Sequence, residues 1–178
     1  IHIARQSLRE ILVEQLGGNE AIKWGHQLIN FTQNNDQSIS LNFQVDGIMK
    51  SAKADLVVGS DGIRSVVRNQ LINEQISPLR YLGCIVILGI CALSALEKVE
   101  TNLLDSQAVF QTANGNERIY IMPYDSKSVM WQLSFPMLEE DAKELSLKGS
   151  DALKEEALLR TNWHIPVPQI IAATLSTN

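Results

Sequence analysis

The stretch that most constrains this chain runs from Ala54 to Arg68 and reads ADLVVGSDGIRSVVR. Leu56 to Val58 is a short apolar run of β-formers, the composition of a strand buried on both faces. Gly59 and Gly62 bracket Ser60 and Asp61, the pattern of a tight turn whose backbone bends sharply or comes close to a ligand. Beyond it, Ile63, Val66, Val67 and Leu71 fall at helical spacing, with Arg64 and Arg68 one turn apart on the outer side. The pattern predicts a buried strand, a glycine turn and a helix N-terminus. The first-turn amides and helix dipole would then face phosphate or polyol oxygens.

Read as Asp61-Gly62-x-x-Ser65-x-x-Arg68 with Gly59 in support, the stretch resembles a known signature. That signature is the G-D-G-x-x-S-x-x-R segment of the flavin-dependent aromatic hydroxylases, the single-component monooxygenases similar to para-hydroxybenzoate hydroxylase. The alternative is an ordinary strand–turn–helix in another α/β protein. A second segment, Arg5-x-x-Leu8-x-x-x-Leu12, resembles the family's arginine at the head of a helix that contacts the flavin. By itself it would be a solvated arginine near a helix end; its place ahead of Asp61, in the family's order, favours the cofactor role.

Composition narrows the classes. The 178 residues are 45% hydrophobic and 20% charged, an ordinary globular balance, and the net charge of -5 argues against non-specific nucleic-acid binding. Cys84 and Cys91 lack metal-ligand spacing and read as buried free thiols in a reducing cytosol, so the expected location is cytoplasmic. The apolar run from Cys84 to Leu96 is shorter than the roughly 20 residues a bilayer span needs. Ile1 at one end and the apolar run Ile170–Thr174 near the other make both ends look cut, so the expectation is an internal piece of a longer chain.

Along the chain, a helix is expected within residues 1–16, with Ser7 and Glu10 as a capping box and Gly17-Gly18 as its stop. Strands are expected over Ile22–Phe31 and over Ile39–Val45, where apolar and polar residues alternate, with Asp46-Gly47 as a hairpin turn. His26 reads as a strand-surface residue. After Pro78, Arg80–Ala95, Gln107–Gln111, Arg118–Met122 and Ser128–Phe135 read as a four-stranded meander. Two helices follow, over Leu138–Leu147 with its acidic start and over Ser150–Thr161 capped by Ser150; Pro168 opens a last one. His164 reads as structural.

The elements give the fold class α/β (α+β), and the resemblance implies a partial FAD-binding, Rossmann-like domain over 1–76, a substrate-domain sheet over 77–136 and a helical return over 137–178. The resemblance implies FAD as cofactor, NAD(P)H and O₂ as co-substrates, and a small aromatic or polycyclic substrate. It assigns Arg5, Asp61, Gly62, Ser65 and Arg68 to the cofactor. Tyr120, Met122, Met130, Trp131 and Gln132 of the meander are substrate candidates, with packing in a sheet core as the alternative for each. No catalytic residue and no metal ligand is assigned. No G-x-G-x-x-G is present, so the main dinucleotide cradle does not lie in these residues. Two other classes stay open: a flavoenzyme such as an epoxidase or prenyl reductase on the same scaffold, and a non-catalytic interaction module.

Overall fold

The computed structural model describes residues 3–96, 98–99, 104 and 108–175. Their contacts divide into two units, one of residues 10–80 and one of residues 1–9 with 81–178. The division falls within the first helix, α1 (Arg5–Gln15).

Helix α1 begins at Arg5, so Ser7 lies inside it and does not cap it. Its predicted apolar stripe is real but uncovered: Leu8, Ile11 and Leu12 are about half exposed. Gly17 and Gly18, both at positive φ, end the helix by returning amides to the Glu14 and Val13 carbonyls.

In the unit of residues 10–80, β1 (Gln27–Gln33), β2 (Ile39–Val45) and β3 (Ile48–Ala54) form an antiparallel sheet in that order. The Asp46-Gly47 turn has positive φ at both positions, as a two-residue hairpin matched to strand twist requires. The first strand starts later than its composition suggests. Gly25 at φ 69° turns the chain ahead of it, and His26 sits in that turn, its Nδ1 2.8 Å from the Trp24 carbonyl and its ring edge-on to Phe43. Helix α2 (Val66–Ile72) docks on β1 through Gln70, whose amide both accepts from the Phe31 N–H and donates to the Phe31 carbonyl.

The expected buried strand at Leu56–Val58 is not formed. Leu56 and Val58 are each 77% exposed, and β3 ends at Ala54. A strand buried on both faces needs neighbours on its edges and above and below. Among the described residues no strand pairs with this run.

In the other unit, β4 (Cys84–Ala92), β5 (Phe110–Asn114), β6 (Glu117–Asp125) and β7 (Ser128–Pro136) form an antiparallel sheet ordered β4-β7-β6-β5. The expected simple meander holds only for β5–β7; β4 pairs with β7, at the far edge. Gln107, the expected start of the second strand, lies outside the described residues.

Strand alternation sorts this sheet into two faces. Ile119, Ile121, Val129, Trp131, Leu133 and Phe135 point to the core, all at most 3% exposed. Against them pack α4 (Ser150–Arg160) and α5 (Val167–Ala173), through Ala157, Val167, Ile170 and Ile171. Helix α3 (Glu139–Leu147), with its acidic first turn, precedes them. Gly149 at φ 87°, not Ser150, occupies the cap position of α4.

Two polar devices fix this packing. Arg160 bonds Glu156 at 2.6 Å and Glu117 at 2.7 Å while its guanidinium lies 3.9 Å over the Phe135 ring, tying α4 to β6 and β7. Gly89 on β4 faces Trp131 on β7 so closely that an added Cβ would fall 2.5 Å from the indole. Of the cysteines, Cys91 is buried, but Cys84 is exposed at the start of β4, contrary to expectation.

Candidate functional site

The Asp-Gly segment forms a closed hydrogen-bonded turn in which each motif residue has a distinct task. Ser65 caps α2, its hydroxyl accepting the Arg68 N–H at 2.9 Å and donating to Asp61 Oδ1 at 2.5 Å. Asp61 Oδ2 accepts the Val66 N–H at 2.7 Å and the Val67 N–H at 3.4 Å. Gly62, at φ 79°, turns the chain so that its carbonyl accepts the Ser65 N–H at 3.1 Å. The Arg68 guanidinium donates from Nη2 to the Ile63 carbonyl, closing the loop from the other side.

The expected ligand-facing amides are therefore spoken for. The first turn of α2 spends its N–H groups on Asp61 and Ser65, which satisfies the helix end from within. The Ser65 hydroxyl holds the Asp61 carboxyl below the usual carboxylate range, with the two α2 amides adding to the effect.

Gly59 is needed for a different reason: a Cβ there would lie 2.7 Å from Val67 Cβ, so only glycine lets this run of chain lie against α2. Gly62 has the opposite surroundings, since a Cβ would meet no atom within 4 Å. The turn thus offers an open main-chain flank, with exposed Ile63 and Arg64 beside it. Arg68 Nε is buried and has no hydrogen-bond partner. An orphaned donor and an open glycine in one turn fit a polar, oxygen-rich group such as the ribityl–pyrophosphate part of FAD.

Arg5 is exposed at the first position of α1. The structure brings Asp61, Gly62, Ser65 and Arg68 into one turn; Arg5 lies on a separate element.

The five substrate candidates do not share a face. Tyr120 and Gln132 are cross-strand partners on the outward face of β6 and β7. With Val86, Gln111, Arg118 and Ser134 they line a shallow hollow of about 330 Å³. Trp131 points the other way, 1% exposed, its indole N–H donated to the Thr174 hydroxyl at 2.9 Å. Met122 and Met130 lie on the Tyr120 face. The polar lining of Gln111 and Arg118 escaped sequence reasoning; the signal was their period-2 placement opposite Tyr120 and beside it.

His164 has the structural part expected of it, its Nε2 3.1 Å from Thr112 Oγ1 and its Nδ1 2.9 Å from the Ile165 carbonyl. Among the described residues no cluster of His, Cys, Asp and Glu could hold a metal, and no helix is long and apolar enough to cross a membrane.

Comparison with known proteins gives this geometry a context. The model of the FAD binding domain family matches residues 2–176. Aurachin C monooxygenase/isomerase of Stigmatella aurantiaca is 29% identical over 177 residues, covering 99% of this chain and 41% of that protein. Among solved structures, Klebsiella pneumoniae HpxO complexed with FAD and uric acid aligns over 95% of this chain and 39% of its own, with a TM-score of 0.65 and 21% identity. Pseudomonas aeruginosa PqsL in complex with 2-aminobenzoylacetate aligns over 97% of this chain and 46% of its own, with a TM-score of 0.54 and 21% identity. At these identities the two structures speak for the fold. The chain spans less than half the length of each of these proteins.

Proposed function

Because the chain belongs to the FAD binding domain family, we propose that it is part of an FAD-dependent monooxygenase acting on a small aromatic or polycyclic compound. The observation that carries this reading is the family match over residues 2–176. The relatives' names support it: a monooxygenase/isomerase, and proteins solved with uric acid and with 2-aminobenzoylacetate.

When bound, FAD supplies the redox chemistry, accepting a hydride from NAD(P)H and activating O₂ so that one oxygen atom reaches the substrate. The residues of this chain bind and position. Asp61 and Ser65 hold the turn, and Gly62 keeps its flank open. Arg68 and Arg5 offer fork-shaped cationic donors to phosphate or flavin oxygens. In this reading the carboxylate of Asp61 shapes the cofactor's surroundings by fixing the loop, because its own oxygens already accept three hydrogen bonds.

Tyr120 and Gln132 supply a hydroxyl and an amide beside Gln111, Arg118 and Ser134, in a hollow whose apolar side chain is Val86, enough to orient a flat ring carrying a polar substituent. Trp131 is left to the core.

The test is isotopic. The full-length protein, loaded with FAD and given NAD(P)H, ¹⁸O₂ and a panel of electron-rich aromatic and polycyclic compounds, should place one ¹⁸O atom in a product. Flavin-loaded protein that oxidises NAD(P)H yet labels no compound of the panel would oppose a monooxygenase and favour another flavin-dependent reaction.

A further inference from the structure

Beside β4 runs a groove of about 880 Å³ that shares only Val86 with the hollow under Tyr120 and Gln132. One wall is built by Val86, Ile87, Leu88, Gly89 and Ile90, five residues in unbroken succession. Side chains alternate across a strand, so a ligand on one face would touch only every second residue. A wall of consecutive residues is the strand's edge, with its row of main-chain N–H and C=O groups. β4 is the terminal strand of its sheet, pairs only with β7 among the described strands, and carries no charged residue. Long, apolar and open, it has the features of an edge that accepts another strand.

The other wall says which strand. It includes Lys154 of α4 and Thr174 and Leu175, where the chain leaves α5. Thr174 has extended backbone angles, φ -67° and ψ 129°, so the chain has already left helical geometry there. Its position is held from three sides. The Trp131 indole donates to its hydroxyl, its hydroxyl donates to the Ile170 carbonyl at 2.9 Å, and the Lys154 ammonium donates to its carbonyl at 2.6 Å. Trp131 is the cross-strand partner of Gly89, and the Cys91 thiol is a further neighbour of Thr174. The exit therefore lies towards the C-terminal half of β4.

We infer that the free edge of β4 is completed by one more strand, supplied in cis by polypeptide following Leu175 and running antiparallel, from the Ala92 end back towards Cys84. Relatives more than twice this length have chain enough to provide it. The apolar wall calls for an alternating strand with few charges, its main chain bonding every second residue of β4. This inference rests on the edge and the exit point, independently of the reaction proposed above.

Amide hydrogen exchange on the full-length protein tests it, read residue by residue over Val86–Ala92, with oligomeric state followed by light scattering at each concentration. In β4, alternate amides face β7 and the open edge. The expected result is that the edge-facing amides exchange as slowly as those bonded to β7, at least about a hundredfold below the unprotected rate, in a monomer and at every concentration. Fast exchange at every second amide would overturn the proposal by showing a bare edge. Protection that appears only as the protein dimerises would overturn it in favour of edge-to-edge pairing between two copies.

Discussion

Removing the Ser65 hydroxyl should loosen the Asp-Gly turn in a way that can be measured at two points. In Ser65→Ala the Arg68 N–H loses its 2.9 Å acceptor and Asp61 Oδ1 loses its 2.5 Å donor. Loss of a helix cap costs about 0.5–2 kcal/mol. The upper half of that range applies here, because Ser65 is only 6% exposed and water replaces the lost partner poorly. At about 2–4 °C per kcal/mol for a chain of this size, the melting temperature should fall by roughly 2–8 °C. Because the Ser65 hydroxyl is the main reason the Asp61 carboxyl titrates low, its pKa should move back up towards the ordinary carboxylate value. Thermal unfolding by circular dichroism and ¹³C carboxyl titration read the two effects, with Ser65→Thr as the control that keeps the hydroxyl. An alanine variant that melts like the parent and leaves the Asp61 titration unmoved would refute the account of this turn.

Asp61 also predicts a pH dependence. Its folded pKa is depressed, so its contribution to stability is present above the unfolded value near 3.8 and is lost as the pH falls through the lower folded value. Unfolding curves collected below pH 4 should show Asp61→Asn losing less stability with acid than the parent; parallel losses would remove the carboxylate from the turn's energetics. Trp131→Ala should cost about 3–5 kcal/mol, because it empties a fully buried indole site and removes the donor to the Thr174 hydroxyl; a denaturant midpoint close to the parent's would contradict its place in the core. Tyr120→Phe and Gln132→Leu should raise KM for the aromatic substrate several-fold while FAD affinity holds, and equal losses of both would show that these residues support the fold and not the substrate.

Much of this was legible from residue order because it rests on local rules. The Asp46-Gly47 hairpin, the period-2 strands β6 and β7 and the acidic start of α3 follow from turn chemistry and periodicity within a few residues. Leu56–Val58 misled for the opposite reason: an apolar run specifies a buried strand only where neighbours cover it, and no described strand does. The pairing of β4 with β7 instead of β5 was equally hidden, since strand order depends on contacts distant in sequence. At the turn, the motif residues were identifiable but their roles were not. Asp61 and Ser65 at a helix start can face a ligand or satisfy the helix, and the hydrogen-bond geometry shows them satisfying the helix. Trp131 shows the same limit in the sheet, where alternation separates it from Tyr120 and Gln132 without saying which face is covered.

The proposed function requires that the protein containing this chain hold FAD and reduce it with NAD(P)H. The most direct measurement is a visible-absorption titration of the purified full-length protein with FAD, followed by anaerobic addition of NAD(P)H and then readmission of air. The account predicts stoichiometric retention of flavin through gel filtration, bleaching of its absorbance by NAD(P)H, and recovery with O₂. A folded protein that elutes colourless after reconstitution, or a bound flavin that NAD(P)H leaves fully oxidised in the presence of aromatic substrates, would contradict it.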